Sequence, residues 1–291
     1  MSFFSIDEMV RAAREKEIPL WQVVLEEHVK DQQDNAQAAF GRMTGLYRAM
    51  VQSDEGYCGG DRSGSGMSGG DGQKLTEYSG EMLCGEFMSG VVSCAVRMGE
   101  CNACMKRIVA APTAGSCGVL PAVLITLQKS RGVPEEELVK SLFVVAGFGQ
   151  VIATRASISG AEGGCQAEIG AASGMAAAGL TFLRGGTPEK CAHACAMALK
   201  SLMGLVCDPV AGLVEVPCVK RNVIGAVNAV TCSDMAMAGV ESRIPCDEVI
   251  DAMRQVGEAM PATLRETGEG GVAASPTGRE IRRSLFSTEW E

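Results

Sequence analysis

Three cysteines lie in short breaks of an otherwise apolar, helical sequence pattern. Cys165 follows two glycines, Cys207 precedes Asp-Pro, and Cys218 follows a proline. They are 42 and then 11 residues apart, so they do not form a compact finger and only a fold can bring them together. Three thiolates that converge from separate loops can hold an iron–sulfur cube by three of its irons, which leaves the fourth iron open as a Lewis acid.

Packing is the alternative role for these thiols, because a buried cysteine usually behaves as a small hydrophobic residue and the chain has 13 cysteines. Cys165 differs in that it precedes an alanine-rich helix, whose free amides and dipole are expected to stabilise a thiolate. Lys220 and Arg221 follow Cys218 and can offset the charge of an anionic cluster. Long spacings have no generic signature, so residue chemistry alone leaves metal binding and packing both open.

Two other cysteine patterns are predicted to be structural. Cys101-x-x-Cys104 has redox or metal spacing, but no strand pattern precedes it and no second pair completes a site. In Cys191-Ala-His193-Ala-Cys195, a helix places both cysteines on one face and the histidine on another. Three ligands therefore cannot converge there.

Two segments have the composition of binding loops. Residues 59–72 are rich in glycine and serine and are too long for an ordinary turn. They match neither the Walker pattern nor a dinucleotide fingerprint, and their amides and hydroxyls suit a phosphate or a carboxylate; a flexible linker is the alternative. The turn at 111–118 opens a helix and is a second candidate for binding an anion.

Helical periodicity dominates the rest of the chain. Ser5-x-x-Glu8 is a capping box that opens a short helix, and Thr187-Pro188-Glu189 is a second helix start. Helices are predicted at about 5–17, 19–53, 80–109, 118–130, 135–153, 166–184, 188–206, 220–241 and 246–260. No alternating run is long enough for a sheet, so we predict an all-α fold: one compact multi-helix catalytic domain over 1–291, with N-terminal helices in 1–55 and glycine-rich site loops.

Composition restricts the location and the partners. The net charge of −9 disfavours nonspecific binding to nucleic acid or to an acidic membrane surface. The N-terminal segment is acidic by its seventh residue and lacks the pattern of a signal peptide, so we expect a cytoplasmic protein with free or metal-bound thiols. Residues 108–127 carry no charge, but their prolines, glycines and hydroxyls favour a buried loop leading into a helix over a membrane span.

Three longer stretches resemble the iron–sulfur-dependent L-serine dehydratases, and more narrowly the separate α subunit of the two-chain form. They read Ala-Pro-Thr-Ala-Gly-Ser-Cys-Gly at 111–118, Ser-Ile-Ser-Gly-Ala-Glu-Gly-Gly-Cys-Gln-Ala-Glu-Ile-Gly at 157–170, and Gly-Leu-Val-Cys-Asp-Pro-Val-Ala-Gly-Leu-Val-Glu-Val-Pro-Cys-Val-Lys-Arg-Asn at 204–222. The likeness runs over nearly the whole chain, and the two longer motifs are specific.

This resemblance implies an oxygen-sensitive [4Fe–4S] cluster and conversion of L-serine to pyruvate and ammonia without pyridoxal phosphate. It implies Cys165, Cys207 and Cys218 as the cluster ligands. A monovalent cation such as potassium is a further cofactor candidate. Residues near the three motifs and in the glycine-rich segment are candidates for binding the substrate: Ser63, Ser65, Gly69, Gly70, Thr113, Gly115, Ser116 and Asn222.

The general base is not evident from the sequence. Neither of the two histidines, His28 and His193, lies near a motif. Among the carboxylates, Glu162 is the candidate within this chain, because the helix dipole is expected to lower the pKa of Glu168. Since single-chain relatives carry an extra domain, we expect that a β subunit supplies the base and that the enzyme is a heterodimer.

Three alternatives stay open at this point. A related iron–sulfur L-cysteine desulfidase would use the same elimination to release sulfide. A non-catalytic iron–sulfur redox sensor would need no substrate loop at 59–72. A pyridoxal phosphate enzyme would need an α/β fold and a Schiff-base lysine, for which Lys74 is the candidate.

Overall fold

The fold is built from helices, as the sequence predicts. The computed structural model describes residues 3–286, and within that range it contains thirteen α-helices, no strand, and one isolated β-bridge between Cys207 and Arg265. The α-helices are α1 Ile6–Lys16, α2 Leu20–Gln32, α3 Ala36–Glu55, α4 Asp71–Glu77, α5 Gly85–Ala103, α6 Val119–Arg131, α7 Glu135–Arg155, α8 Gly160–Gly163, α9 Ala171–Leu183, α10 Pro188–Ser201, α11 Cys218–Met237, α12 Cys246–Ala259 and α13 Pro276–Phe286. A π-helical turn covers Gln166–Gly170, and 3-10 turns cover Val210–Gly212, Ala262–Leu264 and Gly271–Ala274.

The helix starts read from the sequence are confirmed. The Ser5 side chain accepts a hydrogen bond from the Glu8 amide over 3.0 Å, and Thr187 caps α10 by accepting from the Lys190 amide. The predicted single helix over 19–53 is wrong. It divides into α2 and α3 because Gln33 adopts a left-handed backbone (φ 49°) and Asn35 caps a new helix.

Other boundaries also differ from the predictions. Helices α4, α8 and α13 have no counterpart among the predicted ranges, and the predicted helix at 166–184 opens as the π-helical turn before α9. The predicted helices at 80–109, 188–206 and 220–241 are shorter in the structure. Helices α4 and α8 have only seven and four residues, too few for a periodic pattern to show, whereas the eleven-residue α13 is amphipathic and was overlooked.

Helix α9 lies at the centre of the domain and packs against α6, α7, α10 and α11. Its sequence is almost entirely small residues, and glycines let the neighbouring helices approach closely. A Cβ placed on Gly179 would lie 2.6 Å from Cγ2 of Val145 on α7, and one on Gly174 would lie 3.0 Å from Sγ of Cys195 on α10. Close packing of small residues therefore builds the core that supports the loops on either side of α9.

One helix, α7, is long and apolar enough to span a membrane by length and composition. Most of that helix is buried inside the domain, and Leu138, Val144 and Ile152 are fully inaccessible. Its apolar character is thus explained by core packing. Residues 108–118 form an irregular segment that leads into the buried helix α6, as predicted for the uncharged stretch.

Candidate active site

The three loop cysteines are buried and lie close enough to influence one another. Cys165 immediately precedes the π-helical turn, Cys207 forms the β-bridge, and Cys218 is the first residue of α11. Burial raises the pKa of Cys165 and of Cys218 to about 12, and it raises the pKa of Cys207 further. The Cys165 charge contributes to the upward shift at both of the other thiols, and that of Cys218 adds to the shift at Cys207. The fold therefore gathers the three thiols into one site.

The expectation that the helix start lowers the pKa of Cys165 is wrong. Cys165 is only 3% exposed. The loss of solvation raises its pKa by more than Arg221 and the Ile169 amide lower it. The low dielectric disfavours the Cys165 thiolate more than the Arg221 charge favours it, so the pKa of this thiol stays above its usual value.

Arg221 connects the three cysteine segments. It lies one helical turn after Cys218, its Nη1 donates to the Val206 carbonyl over 2.7 Å, and its Nη2 is 2.8 Å from Oδ1 of Asp208. Both of those partners are the chain neighbours of Cys207. The guanidinium also interacts with the Cys165 sulfur, where it favours the thiolate. Arg221 is thus the cation of the site, whereas Lys220 is half-exposed and pairs with Asp71.

Glu168 is the half-buried carboxylate beside the thiols. Its Oε1 accepts from the Thr113 hydroxyl over 2.7 Å, and Sγ of Cys207 donates to its Oε2 over 3.9 Å. A Cβ on Gly160 would lie 2.7 Å from that Oε2 and 2.9 Å from the Cys207 sulfur, so a glycine is needed where this loop passes. Burial raises the pKa of Glu168 despite the hydrogen bond from Thr113. The predicted lowering by the helix dipole is wrong, because desolvation dominates.

Glu162 lies on α8, at the surface. Its carboxylate accepts from the Ser157 hydroxyl over 2.6 Å, and the side chain is exposed. The catalytic role predicted for Glu162 stays a prediction. Sequence reasoning ranked Glu168 below Glu162, although its position three residues after Cys165 is the signal that places it in the site.

The glycine-rich segment is an ordered loop tied to the site. Ser63 donates to Oε2 of Glu215 over 2.6 Å, and Ser65 donates to the same carboxylate over 2.9 Å. Glu215 is buried three residues before Cys218, so the loop and the Cys218 segment are joined. Gly69 and Gly70 have φ angles of 123° and 86°, and a Cβ on Gly69 would lie 2.2 Å from the Asp61 carbonyl. The linker interpretation of 59–72 does not account for these contacts.

The turn at 111–118 borders Glu168. Thr113 and Ser116 hydrogen-bond to each other through their hydroxyls, and a Cβ on Gly115 would lie 3.2 Å from Oε1 of Glu168. Asn222 holds the turn in place, because its Oδ1 accepts from the Gly118 amide over 2.8 Å and its Nδ2 donates to the Gly115 carbonyl over 2.9 Å. The structure brings these predicted residues together at one site; substrate contact by them stays a prediction.

The Cys191–Cys195 pattern lies within helix α10, as predicted, whereas Cys101 and Cys104 line a small cavity together with Gly69 of the glycine-rich loop. Cys191 and Cys195 are fully buried in α10, and His193 accepts from the Ser242 amide over 3.4 Å through Nδ1. Lys74 is exposed on α4 and pairs with Asp71. With no strand in residues 3–286, the fold also lacks the α/β architecture that a pyridoxal enzyme was expected to need.

No group of three His, Cys, Asp or Glu side chains in the described part of the chain is arranged to hold a single metal ion. A [4Fe–4S] cube makes a different demand, because each thiolate binds its own iron and the sulfurs stay apart. Three buried thiols on separate segments, next to one guanidinium, have the donor chemistry and the charge balance that such a group requires.

Comparison with known proteins places this chain in a family. The family model described as "Serine dehydratase alpha chain" matches residues 15–273. The "Probable L-serine dehydratase, alpha chain" of Bacillus subtilis is 48% identical over 286 residues, which is 98% of this chain and 95% of the relative. The "L-serine dehydratase, alpha chain" of Peptoniphilus asaccharolyticus is 40% identical over 96% of this chain and 97% of its own.

A longer relative matches over part of its length. "L-serine dehydratase 2" of Escherichia coli is 46% identical over 181 residues, covering 62% of this chain and 40% of that protein. The family model matches most of this chain, and two relatives match it over nearly their full length. The chain belongs to the family of serine dehydratase α chains.

Proposed function

We propose that this chain is the catalytic α subunit of an iron–sulfur-dependent L-serine ammonia-lyase, which converts L-serine to pyruvate and ammonia without pyridoxal phosphate. The observation that carries the proposal is the gathering of Cys165, Cys207 and Cys218 beside Arg221 and the half-buried carboxylate of Glu168. Membership of the serine dehydratase α-chain family supports the substrate.

The three thiols would hold a [4Fe–4S] cluster. When bound, the cluster supplies an open iron that polarises the C–O bond of a β-hydroxyl, for which hydroxide is otherwise a poor leaving group. Burial keeps the thiols protonated in the free chain, so cluster binding releases protons from them. Arg221 offsets part of the negative charge that the thiolates then carry.

The surrounding loops bind and orient the amino acid. The turn around Thr113, Gly115 and Ser116 offers hydroxyls and amides next to Glu168. The glycine-rich loop, with Ser63, Ser65, Gly69 and Gly70, approaches from the Cys218 side. Asn222 holds the 111–118 turn in place through its hydrogen bonds with Gly115 and Gly118. The burial of the thiols limits the access of water to the reacting atoms. A monovalent cation at this site stays a prediction.

We propose that a β chain supplies the general base. The names of the relatives as α chains support a second chain, and the Escherichia coli relative is much longer than this one. The only two histidines of the chain are engaged elsewhere: His193 with the Ser242 amide and His28 with Asp34. Glu162 is the internal candidate, and its exposed position leaves it free to meet a docked partner.

An anaerobic assay tests the proposal. The reconstituted chain, with its β chain, should release pyruvate from L-serine in preference to L-cysteine, with D-serine as the control for stereospecificity. Preference for L-cysteine would make the protein a desulfidase. Cluster binding without turnover of either amino acid, with the β chain present, would make it a redox sensor.

A further inference from the structure

Arg265 lies directly beside a proposed cluster ligand. The Cys207 amide donates to the Leu264 carbonyl over 2.9 Å, and the Glu266 amide donates to the Cys207 carbonyl over 2.7 Å. These two bonds form the parallel bridge between Cys207 and Arg265. Bridged residues project to the same side of the backbone pair, so the Arg265 side chain and the Cys207 thiol share one face.

The Arg265 guanidinium has a hydrogen-bond donor that lacks an acceptor among the described residues. Its Nη1 donates to the Glu162 carbonyl over a long 3.4 Å, and within residues 3–286 its buried Nε has no hydrogen-bond partner. A buried donor without an acceptor costs free energy, and few are tolerated in native structures without a reason. A guanidinium presents a planar fork of donors that matches a carboxylate in two-point geometry.

The other polar groups near the thiols are already engaged. Arg221 is occupied by Asp208 and the Val206 carbonyl. The hydroxyls of Ser63 and Ser65 donate to Glu215, whose negative charge would repel the substrate carboxylate, so this loop suits the ammonium group of the amino acid instead. An α-amino acid that enters the site therefore needs a cation with free donors for its carboxylate.

The charge around the site makes the same demand. Glu168 is half-buried, with 3.9 Å between its Oε2 and the Cys207 sulfur, and Glu266 directly follows Arg265 in the chain. In such an anionic region a substrate carboxylate is disfavoured unless a positive group faces it.

We propose that Arg265 binds the α-carboxylate of the substrate and sets the specificity of the site for free amino acids over their amides and amines. The inference rests on the proposed function and deepens it, because it assigns a substrate-binding group that the sequence motifs did not suggest. With the carboxylate on Arg265, the substrate is fixed on the face of the bridge that carries the Cys207 thiol, next to Glu168.

The test compares L-serine with L-serinamide in the reconstituted α/β enzyme and in three variants: Arg265→Gln, Arg265→Lys and, as matched control, Arg254→Gln. Arg254 is a half-exposed arginine of α12 that pairs with Glu258. Hydrogen bonds to charged groups contribute about 1.5–3 kcal/mol, so Arg265→Gln should raise KM for L-serine roughly 10- to 100-fold. The ratio of kcat/KM for serine to that for serinamide should fall by a similar factor, with Arg265→Lys intermediate and Arg254→Gln unchanged.

The ratio does not depend on the fraction of active enzyme, so partial loss of iron or of folded protein in a variant leaves it interpretable. An unchanged ratio in both Arg265 variants, at wild-type KM, would overturn the inference. If Arg265→Gln shows no turnover, two other measurements test the inference. The serine-to-serinamide ratio should still fall in Arg265→Lys, and glycine should inhibit the wild type more strongly than glycinamide does. If the wild type does not use serine, the proposed function fails but the role of Arg265 is still testable. L-cysteine carries the same α-carboxylate, so the same comparison is then made with cysteine and cysteinamide.

Discussion

Arg221 and Asp208 form a buried ion pair, with 2.8 Å between Nη2 and Oδ1, that joins the start of α11 to the segment of Cys207. The contact is ionic rather than a well-aligned hydrogen bond, and the other oxygen of Asp208 accepts from the Val272 amide over 2.7 Å. One pair therefore fixes the Cys207 segment, the Cys218 helix and the 3-10 turn at Gly271–Ala274 relative to one another.

Removing one partner of this pair should destabilise the fold and the iron site together. Arg221→Met leaves Asp208 buried and unpaired, and such losses cost about 3–5 kcal/mol. Urea unfolding and the iron content after anaerobic reconstitution measure the two effects. Arg254→Met is the matched control, because the Arg254–Glu258 pair is solvent-exposed and should contribute roughly 0–1 kcal/mol. Equal effects of the two substitutions would contradict the organising role of Arg221.

Single replacement of Cys165, Cys207 or Cys218 by Ser should remove most bound iron and the visible absorption of the reconstituted protein. The controls are Cys191→Ser and Cys104→Ser, which should keep both, since Cys191 is buried in α10 and Cys104 ends α5. Retention of the full iron content by all five variants would show that the ligand set is wrong. Exposure of the wild type to air should abolish the absorption and the activity in parallel.

Glu168 should matter to turnover more than Glu162. Glu168→Gln changes a half-buried carboxylate that contacts Thr113 and the Cys207 thiol, whereas Glu162→Gln changes an exposed one. In the α/β complex we expect kcat to fall about 100-fold or more for Glu168→Gln, in the range of a lost proton-transfer or positioning group, and less than about threefold for Glu162→Gln. Iron content is measured in both variants, so that a lost cluster is told apart from lost catalysis.

The isolated chain should bind the cluster but turn over L-serine weakly. The physical reason is that no histidine of this chain lies at the site. The assay compares the chain alone with the chain plus β chain under anaerobic conditions. Full turnover by the lone chain, abolished by Glu162→Gln, would refute the two-subunit proposal and move the base to Glu162.

Asp54 should make the stability of the domain depend on pH in the acid range. Burial raises the pKa of this carboxyl, but the hydrogen bonds and charges of Lys129 and Arg97 outweigh burial and hold it below the usual 3.8. Because the pKa of Asp54 is lower in the folded state, the carboxylate stabilises the fold at pH values above its pKa in the unfolded chain. That stabilisation is lost as the pH falls through the pKa in the folded state.

Asp54→Asn should therefore cost roughly 3 kcal/mol at neutral pH. In urea unfolding at several pH values, the difference from wild type should shrink below about pH 4; a constant difference would contradict the shift.

The sequence by itself determined the class of fold and singled out the segments that carry the proposed ligands. Helical periodicity and the caps at Ser5 and Thr187 are local properties, since each hydrogen bond joins residues three or four apart. The cysteine motifs were readable because long, specific stretches surround Cys165 and Cys218. The break between α2 and α3 was also local, at Gln33 and Asn35, but the apolar pattern runs through it and hid it.

Tertiary structure decided which groups meet and how they are charged. The pKa of Cys165 and of Glu168 rises, where the helix dipole alone predicts a fall, because burial is a property of the whole domain and outweighs the local dipole. The pairing of Ser63 with Glu215 and of Cys207 with Arg265 joins residues that are distant in sequence. No spacing rule reports such contacts, because loop positions are fixed by the packing of α9 and its neighbours rather than by the loops' own residues.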